Sequence, residues 1–234
     1  AKESCAWAYG RVTGDNYNYC VESDQGVEIR EIAEYSGSNA FAQHSRRLET
    51  PNQSFVIGNP LQFESGMGSK IAIHEYVHIY QNANMVDESD FGLPLWLEEG
   101  SAEFLALYLG EEQGWVNFRT GMTEALEGAS DLKERYPDLG IQDIETSESR
   151  DQLKSICECT GTLQFEIGQW ATAWLVNRTS LDTFYKSYIP DIVELGGRDS
   201  FETHFGLTIA EFYGEFEEFM GFTSKDQLAI LSIN

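Results

Sequence analysis

Residues 70–81 read KIAIHEYVHIYQ, and no other stretch restricts the fold as strongly. The run from Lys70 to Asn84 is apolar on nearly all sides (Ile71, Ile73, Tyr76, Val77, Ile79, Tyr80), the pattern of a helix buried in a core. It nevertheless carries two of the chain's four histidines, with a glutamate after the first. Either this is a metal-binding helix with chemistry in it, or a core helix whose two histidines are satisfied by packing.

On a helix, His74 and His78 fall on one face, about 5–6 Å apart at Cβ. Two imidazoles so placed can share one zinc ion, each at about 2.0–2.1 Å. Glu75 lies beside that face, within reach of a water on the same metal. H-E-x-x-H is thus a division of labour between two ligands and a base. Zinc lowers its water's pKa toward about 7, and the carboxylate takes the proton as the water attacks a carbonyl. Three ligands are the rule in such sites, so a third must come from elsewhere. The continuation H-x-x-G-x-x-H is absent, since position 81 is Gln and position 84 is Asn. A second helix offers carboxylates instead: Pro94 suits a first helical turn, and PLWLEEGSAEFLALYLG runs on to Gly110.

HEYVH followed by WLEEGSAEF resembles the gluzincin zinc metallopeptidases, peptidases of the MA-like group. The resemblance implies that Glu99 is the third zinc ligand. Glu98, about 100° around the helix, precedes no glycine and is the local competitor. Gly100 and Ala102 are small enough for two helices to approach closely. The resemblance further implies that Glu103, one turn beyond Glu99, hydrogen-bonds and orients His74. FEIGQWATAWLVNR is similar to a Y-E-x-G helix of the aminopeptidase-like members, and FETHFGLTIAEFYGEFEEF to a C-terminal segment of the wider group. Together these cover roughly residues 65–220. Phe165 stands where those members carry an oxyanion-binding tyrosine, and a phenyl ring donates no hydrogen bond. Tyr185, Tyr188, Tyr213 and His204 are other donors, none assigned to the role. No G-x-M-E-N segment is present, which favours an endopeptidase over an aminopeptidase.

The rest of the chain sets the frame. With 234 residues and 41% hydrophobic content it can build a sizeable core, read here as a single domain over 1–234. AWAYGRVTG, VEIREIAEY and SFVIGNP are β-favouring runs punctuated by Gly, Asn and Pro, so residues 1–65 are expected to be mostly β. Residues 66–234 are expected to be mostly helical and to hold the zinc site. The fold class expected is α+β, a small N-terminal mixed sheet packed on the H-E-x-x-H helix. Residues 111–161 look loop-rich. Helices are expected over Thr162–Asn177, Leu181–Leu195 with a break at Pro190, and Ile209–Met220, the last opened by the capping box Thr208–Glu211.

A net charge of −24 argues against nucleic acid and against an anionic membrane surface as partners, since phosphates call for clustered Lys and Arg. No apolar run approaches the roughly 20 residues of a membrane helix, and no leader pattern opens the chain. Cys5, Cys20, Cys157 and Cys159 lack paired C-x2-C knuckles, so disulfides are the better reading than a cysteine zinc site. Cys5–Cys20 closes a plausible loop, Cys157–Cys159 a small ring, and crosswise pairings stay open; at least one bridge is expected to involve Cys5 or Cys20. These features suggest a secreted or periplasmic protein. The expected function is a zinc-dependent peptidase with one Zn2+ per chain, acting on peptide or protein substrates. Two rivals are a weak or inactive binding protein on a peptidase fold, and a non-peptidase zinc hydrolase on the same frame.

Overall fold

The computed structural model describes residues 40–45, 52–57, 66–84 and 92–232. Strands β1 (Ala40–Ser45) and β2 (Asn52–Ile57) pair antiparallel, with Ala40 opposite Ile57 and Ser45 opposite Asn52, and both lie against the first helix. All other regular elements among the described residues are helical. The expected α+β class with a mixed N-terminal sheet is therefore corrected: a two-stranded ribbon beside a helical body is not a mixed sheet, and the architecture is mainly α. The segments AWAYGRVTG and VEIREIAEY lie outside the described residues.

The body is organised around two long helices, α1 (Gly66–Ala83) and α2 (Leu95–Glu112), which pack along one another. Pro94 occupies the N-cap of α2, where its missing N–H leaves no helix hydrogen bond unmade. Trp96, Leu97, Phe104 and Leu107 face the core from α2. On α1 the burial runs against the simple apolar reading. Tyr76 is 64% exposed, while Lys70, His74, Glu75, His78, Gln81 and Asn82 are buried. The polar side of α1 is the side turned inward, toward α2.

Helix α3 (Phe118–Arg135) fills much of the stretch expected to be loop-rich, followed by a 3-10 turn (Ile141–Ile144) and α4 (Ser147–Lys154). Asn117 caps α3 by accepting from the Thr120 N–H (2.8 Å), and Phe118, Met122, Ala125, Leu126, Ala129 and Leu132 form its buried stripe. The glycines that made this stretch look broken serve close packing. A Cβ on Gly121 would meet the Leu107 side chain at 2.8 Å.

A π-helical segment (Thr162–Ile167) runs into α5 (Gly168–Arg178), and a second (Thr183–Tyr188) into α6 (Ile189–Leu195). Residues 181–195 are helical without a break, and Pro190 is the second residue of α6, directly after the π segment. Helices α7 (Gly197–Phe205), α8 (Ile209–Met220) and α9 (Ser224–Ala229) complete the described chain. The Thr208–Glu211 capping box forms as its sequence predicts. The α8 stripe Ile209, Phe212, Phe216 and Phe219 enters an aromatic core in which Phe212 stacks on Trp96 at 5.2 Å. Cys157 and Cys159 form a disulfide between α4 and the first π segment; Cys5 and Cys20 lie outside the described residues.

A close backbone contact joins α2 to α5. A Cβ on Gly100 would stand 2.1 Å from the Gly168 carbonyl carbon, and one on Gly168 would stand 2.3 Å from the Trp96 carbonyl oxygen. Only glycine lets these backbones meet. Gly100→Ala should cost about 1–3 kcal/mol in urea unfolding, because the obstacle is backbone and cannot swing aside. Gly214→Ala is the control: it sits in α8 with open space around it and should gain about 0.5–1 kcal/mol. Equal responses at the two sites would show that the α2–α5 contact is not close-packed.

Candidate metal centre

His74 and His78 lie one helical turn apart on α1, and Glu99 faces them from α2. Their Nε2 atoms are 3.1 Å apart, and Glu99 Oε2 is 3.4 Å from the first and 3.3 Å from the second. Tetrahedral ligands at 2.0–2.1 Å from a shared ion stand about 3.3–3.4 Å from one another. The two edges to Glu99 match that spacing, and the edge between the histidines is 3.1 Å, slightly shorter. His74, His78 and Glu99 can hold a metal ion, and they are the group of metal-binding side chains found among the described residues.

The outer ring nitrogens are also engaged. His74 Nδ1 donates to Glu103 Oε2 (3.1 Å), and His78 Nδ1 donates to Gln81 Oε1 (2.7 Å). With a proton held at each Nδ1, both Nε2 lone pairs point to the common centre. Gln81 is fully buried, and its Nε2 donates to the Glu98 carbonyl (2.8 Å) and Ser101 Oγ (2.9 Å). One amide thereby orients a histidine on α1 and ties it to the backbone of α2. Lys70 forms an ion pair with Glu103 Oε1. Sequence reasoning gave neither Gln81 nor Lys70 a part, although both lie on the histidine face of α1 at helical spacing (i+3 from His78, i−4 from His74).

Glu98 is not part of the ligand triangle, in keeping with its place a third of a turn from Glu99. Burial holds its carboxyl above the ordinary range. Glu75 is buried beside the histidines, its Oε2 has no hydrogen-bond partner, and burial raises its pKa against the pull of His74 and His78. A buried carboxylate oxygen without a partner next to a set of metal-binding atoms is the chemistry of a group awaiting a proton donor. Phe165 lies against His74, ring centroids 6.0 Å apart. The other possible donors are placed elsewhere. Tyr185 donates to the Ser101 carbonyl (2.7 Å), Tyr213 to Glu145 (2.5 Å), and His204 pairs with Asp191 (2.7 Å). Tyr188 is enclosed by Phe184, Phe201 and Phe205.

No family model, curated protein or solved structure matches this chain.

Charge ties the site together when no metal is bound. Burial pulls the His74 imidazole down, but hydrogen bonds to Glu103 and Glu99 outweigh it and raise the pKa to about 9. Burial pushes Glu99 and Glu103 up, yet their histidine partners, with Lys70 on Glu103, bring both to about 2. Stabilisation from His74 is complete below its ordinary value of 6.5 and is lost as the pH rises toward about 9. Stabilisation from the two glutamates is complete above 4.5 and is lost as the pH falls toward about 2. The melting temperature of chelated protein should therefore peak between these limits, near pH 5–6, and decline on both sides. A profile that keeps rising through pH 8 would contradict the pairing of His74 with the two carboxylates. Glu103→Ala and Gln81→Leu should each weaken metal affinity about 10–100-fold, measured by competition with a fluorescent chelator, without abolishing it. Unchanged affinity in both would mean that the Nδ1 contacts do not orient the ligands.

Proposed function

We propose that this chain is a zinc-dependent metallopeptidase of the gluzincin type, an endopeptidase that hydrolyses peptide bonds with a water activated by Glu75. The observation that carries the reading is the triangle of His74 Nε2, His78 Nε2 and Glu99 Oε2, edged at zinc-ligand spacing, beside the buried and unpartnered Glu75 Oε2. Two imidazoles and a carboxylate in this spacing suit zinc, and a three-residue set leaves a fourth position for water. Zinc in such a site supplies Lewis acidity, bringing its water's pKa near 7 and polarising a substrate carbonyl.

The chain's own residues supply the remainder. Glu103 and Gln81 hold the Nδ1 protons of His74 and His78, so each ring offers its Nε2 lone pair inward. Lys70 balances Glu103, which leaves that carboxylate ionised in a buried setting. Glu75 Oε2 accepts the proton released as the water attacks, and returns it to the leaving amine. The Cys157–Cys159 bridge supports a secreted or periplasmic setting, and no helix among the described residues is long and apolar enough to cross a membrane.

A second reading keeps the zinc and drops the turnover. It is favoured by Phe165, which brings a ring without a donor up to His74, where an oxyanion would need one. The two readings part on one experiment: a panel of peptides and proteins incubated with the zinc-loaded chain, with and without chelator. Chelator-sensitive cleavage is expected. Glu75→Gln should retain one zinc per chain by elemental analysis and lose about 10²–10⁴-fold in turnover, because an amide cannot accept the proton. Full activity in that variant would remove Glu75 as the base. Intact zinc with no cleavage of any substrate would leave the binding-protein reading standing.

A further inference from the structure

Phe165 is placed with more care than an exposed aromatic side chain needs. Its neighbours Leu163, Gln164 and Ile167 are buried, so the π-helical segment is anchored on both sides of it, while Phe165 itself is 38% exposed. Three residues on, Gly168 seats the chain against the Trp96 carbonyl and Gly100, immediately after Glu99 in sequence. The Gly168 N–H also closes the π turn on the Leu163 carbonyl. Close packing at Gly100–Gly168 therefore sets where Phe165 stands relative to the ligand triangle. Π-helical turns inside longer helices recur where a side chain must be re-aimed. Here the re-aimed side chain is the ring beside His74, tilted 46° to it.

An exposed phenyl ring forgoes part of the roughly 1.5–3 kcal/mol that full burial would contribute. Of the large hydrophobic residues exposed among the described residues, Phe165 is the one in ring contact with a ligand of the candidate metal centre. An incoming side chain at this point meets an apolar face.

We infer that Phe165 is a specificity-determining residue, which binds an aromatic or aliphatic substrate side chain next to the bond under attack in preference to a polar one. This rests on the peptidase reading for the meaning of substrate, but its test does not depend on turnover. The probe is a set of dye-labelled hexapeptides that differ at one central position, Phe or Leu against Ser or Asp. They are titrated by fluorescence anisotropy into zinc-loaded Glu75→Gln protein. The Phe and Leu peptides should bind about tenfold more tightly than the Ser and Asp peptides. In the Glu75→Gln, Phe165→Ala double variant this preference should collapse to within about twofold with zinc content unchanged, and Phe165→Leu in the same background should restore most of it. Equal binding of all peptides, or a preference that survives Phe165→Ala, would overturn the inference. Preferential binding without any cleavage by the unmodified chain would uphold the role of Phe165 while overturning the peptidase reading. Cleavage indifferent to the central residue would do the reverse.

Discussion

Taking a carboxylate or an ammonium out of water costs several kcal/mol unless opposite charge and directed hydrogen bonds replace the solvent. The α1–α2 interface buries a whole set of such groups, and its architecture is the solution to that cost. Lys70 meets Glu103, Glu103 meets His74, His74 meets Glu99, Glu99 meets His78, and His78 meets Gln81. The relay ends on the Glu98 carbonyl and Ser101 Oγ, inside α2 itself. Each group is satisfied by one on the other helix or one turn away. The two helices can therefore dock in one register only, because a shift by one residue would leave charges facing apolar surface. Deleting one member strands its neighbour, so the set is expected to behave as a unit rather than as additive pairs.

Backbone geometry supports this from behind. Glu99 can face both histidines only if α2 is held firmly from its opposite side, and the Gly100–Gly168 contact does so at the adjacent residue. The same contact carries the π-helical segment to the centre and with it Phe165. Trp96, three residues before Glu99, stacks on Phe212 and so joins this part of α2 to the aromatic core of α8. Ligand placement, helix docking and core packing thus share a short stretch of α2, from Trp96 to Glu103.

What the sequence made legible follows from how local each determinant is. His74, Glu75 and His78 lie within one helical turn, so their common placement needs only the 3.6-residue period. The Thr208–Glu211 box is equally local. Glu99 and Glu103 came from a resemblance, since nothing within α2 says which of its carboxylates faces α1. Gln81 reads in sequence only as a departure from the glycine of H-x-x-G-x-x-H, because its value depends on the Glu98 carbonyl and Ser101, which only the folded interface supplies. Helix α3 was missed for a related reason. Gly121 and Gly128 weaken a helix by propensity, and the close approach of Leu107 and Glu166 that calls for them is a tertiary fact. The fold class failed on its β half. The β-favouring runs said nothing about how many strands would pair, and among the described residues just one pair does so.

The metal-free and metal-bound forms of the centre are related by a single exchange. Without metal, the His74 imidazolium has Glu103 on Nδ1 and Glu99 near Nε2, and two ionised glutamates make that proton hard to remove. His74, His78 and Glu99 would hold a dication whose charge takes the part of the Nε2 proton, with Glu103 and Gln81 orienting the two rings through Nδ1. No helix needs to move, because the nitrogen and oxygen atoms already stand at ligand spacing. The proton acts as a placeholder that keeps the acidic partners from repelling one another before metal arrives. Glu75 is left out of this exchange: its Oε2 is unpartnered with the proton in place, and no ion pair of the relay reaches it. That is the setting the proposed role of Glu75 as a base requires, a buried carboxylate that the ion-pair relay does not use.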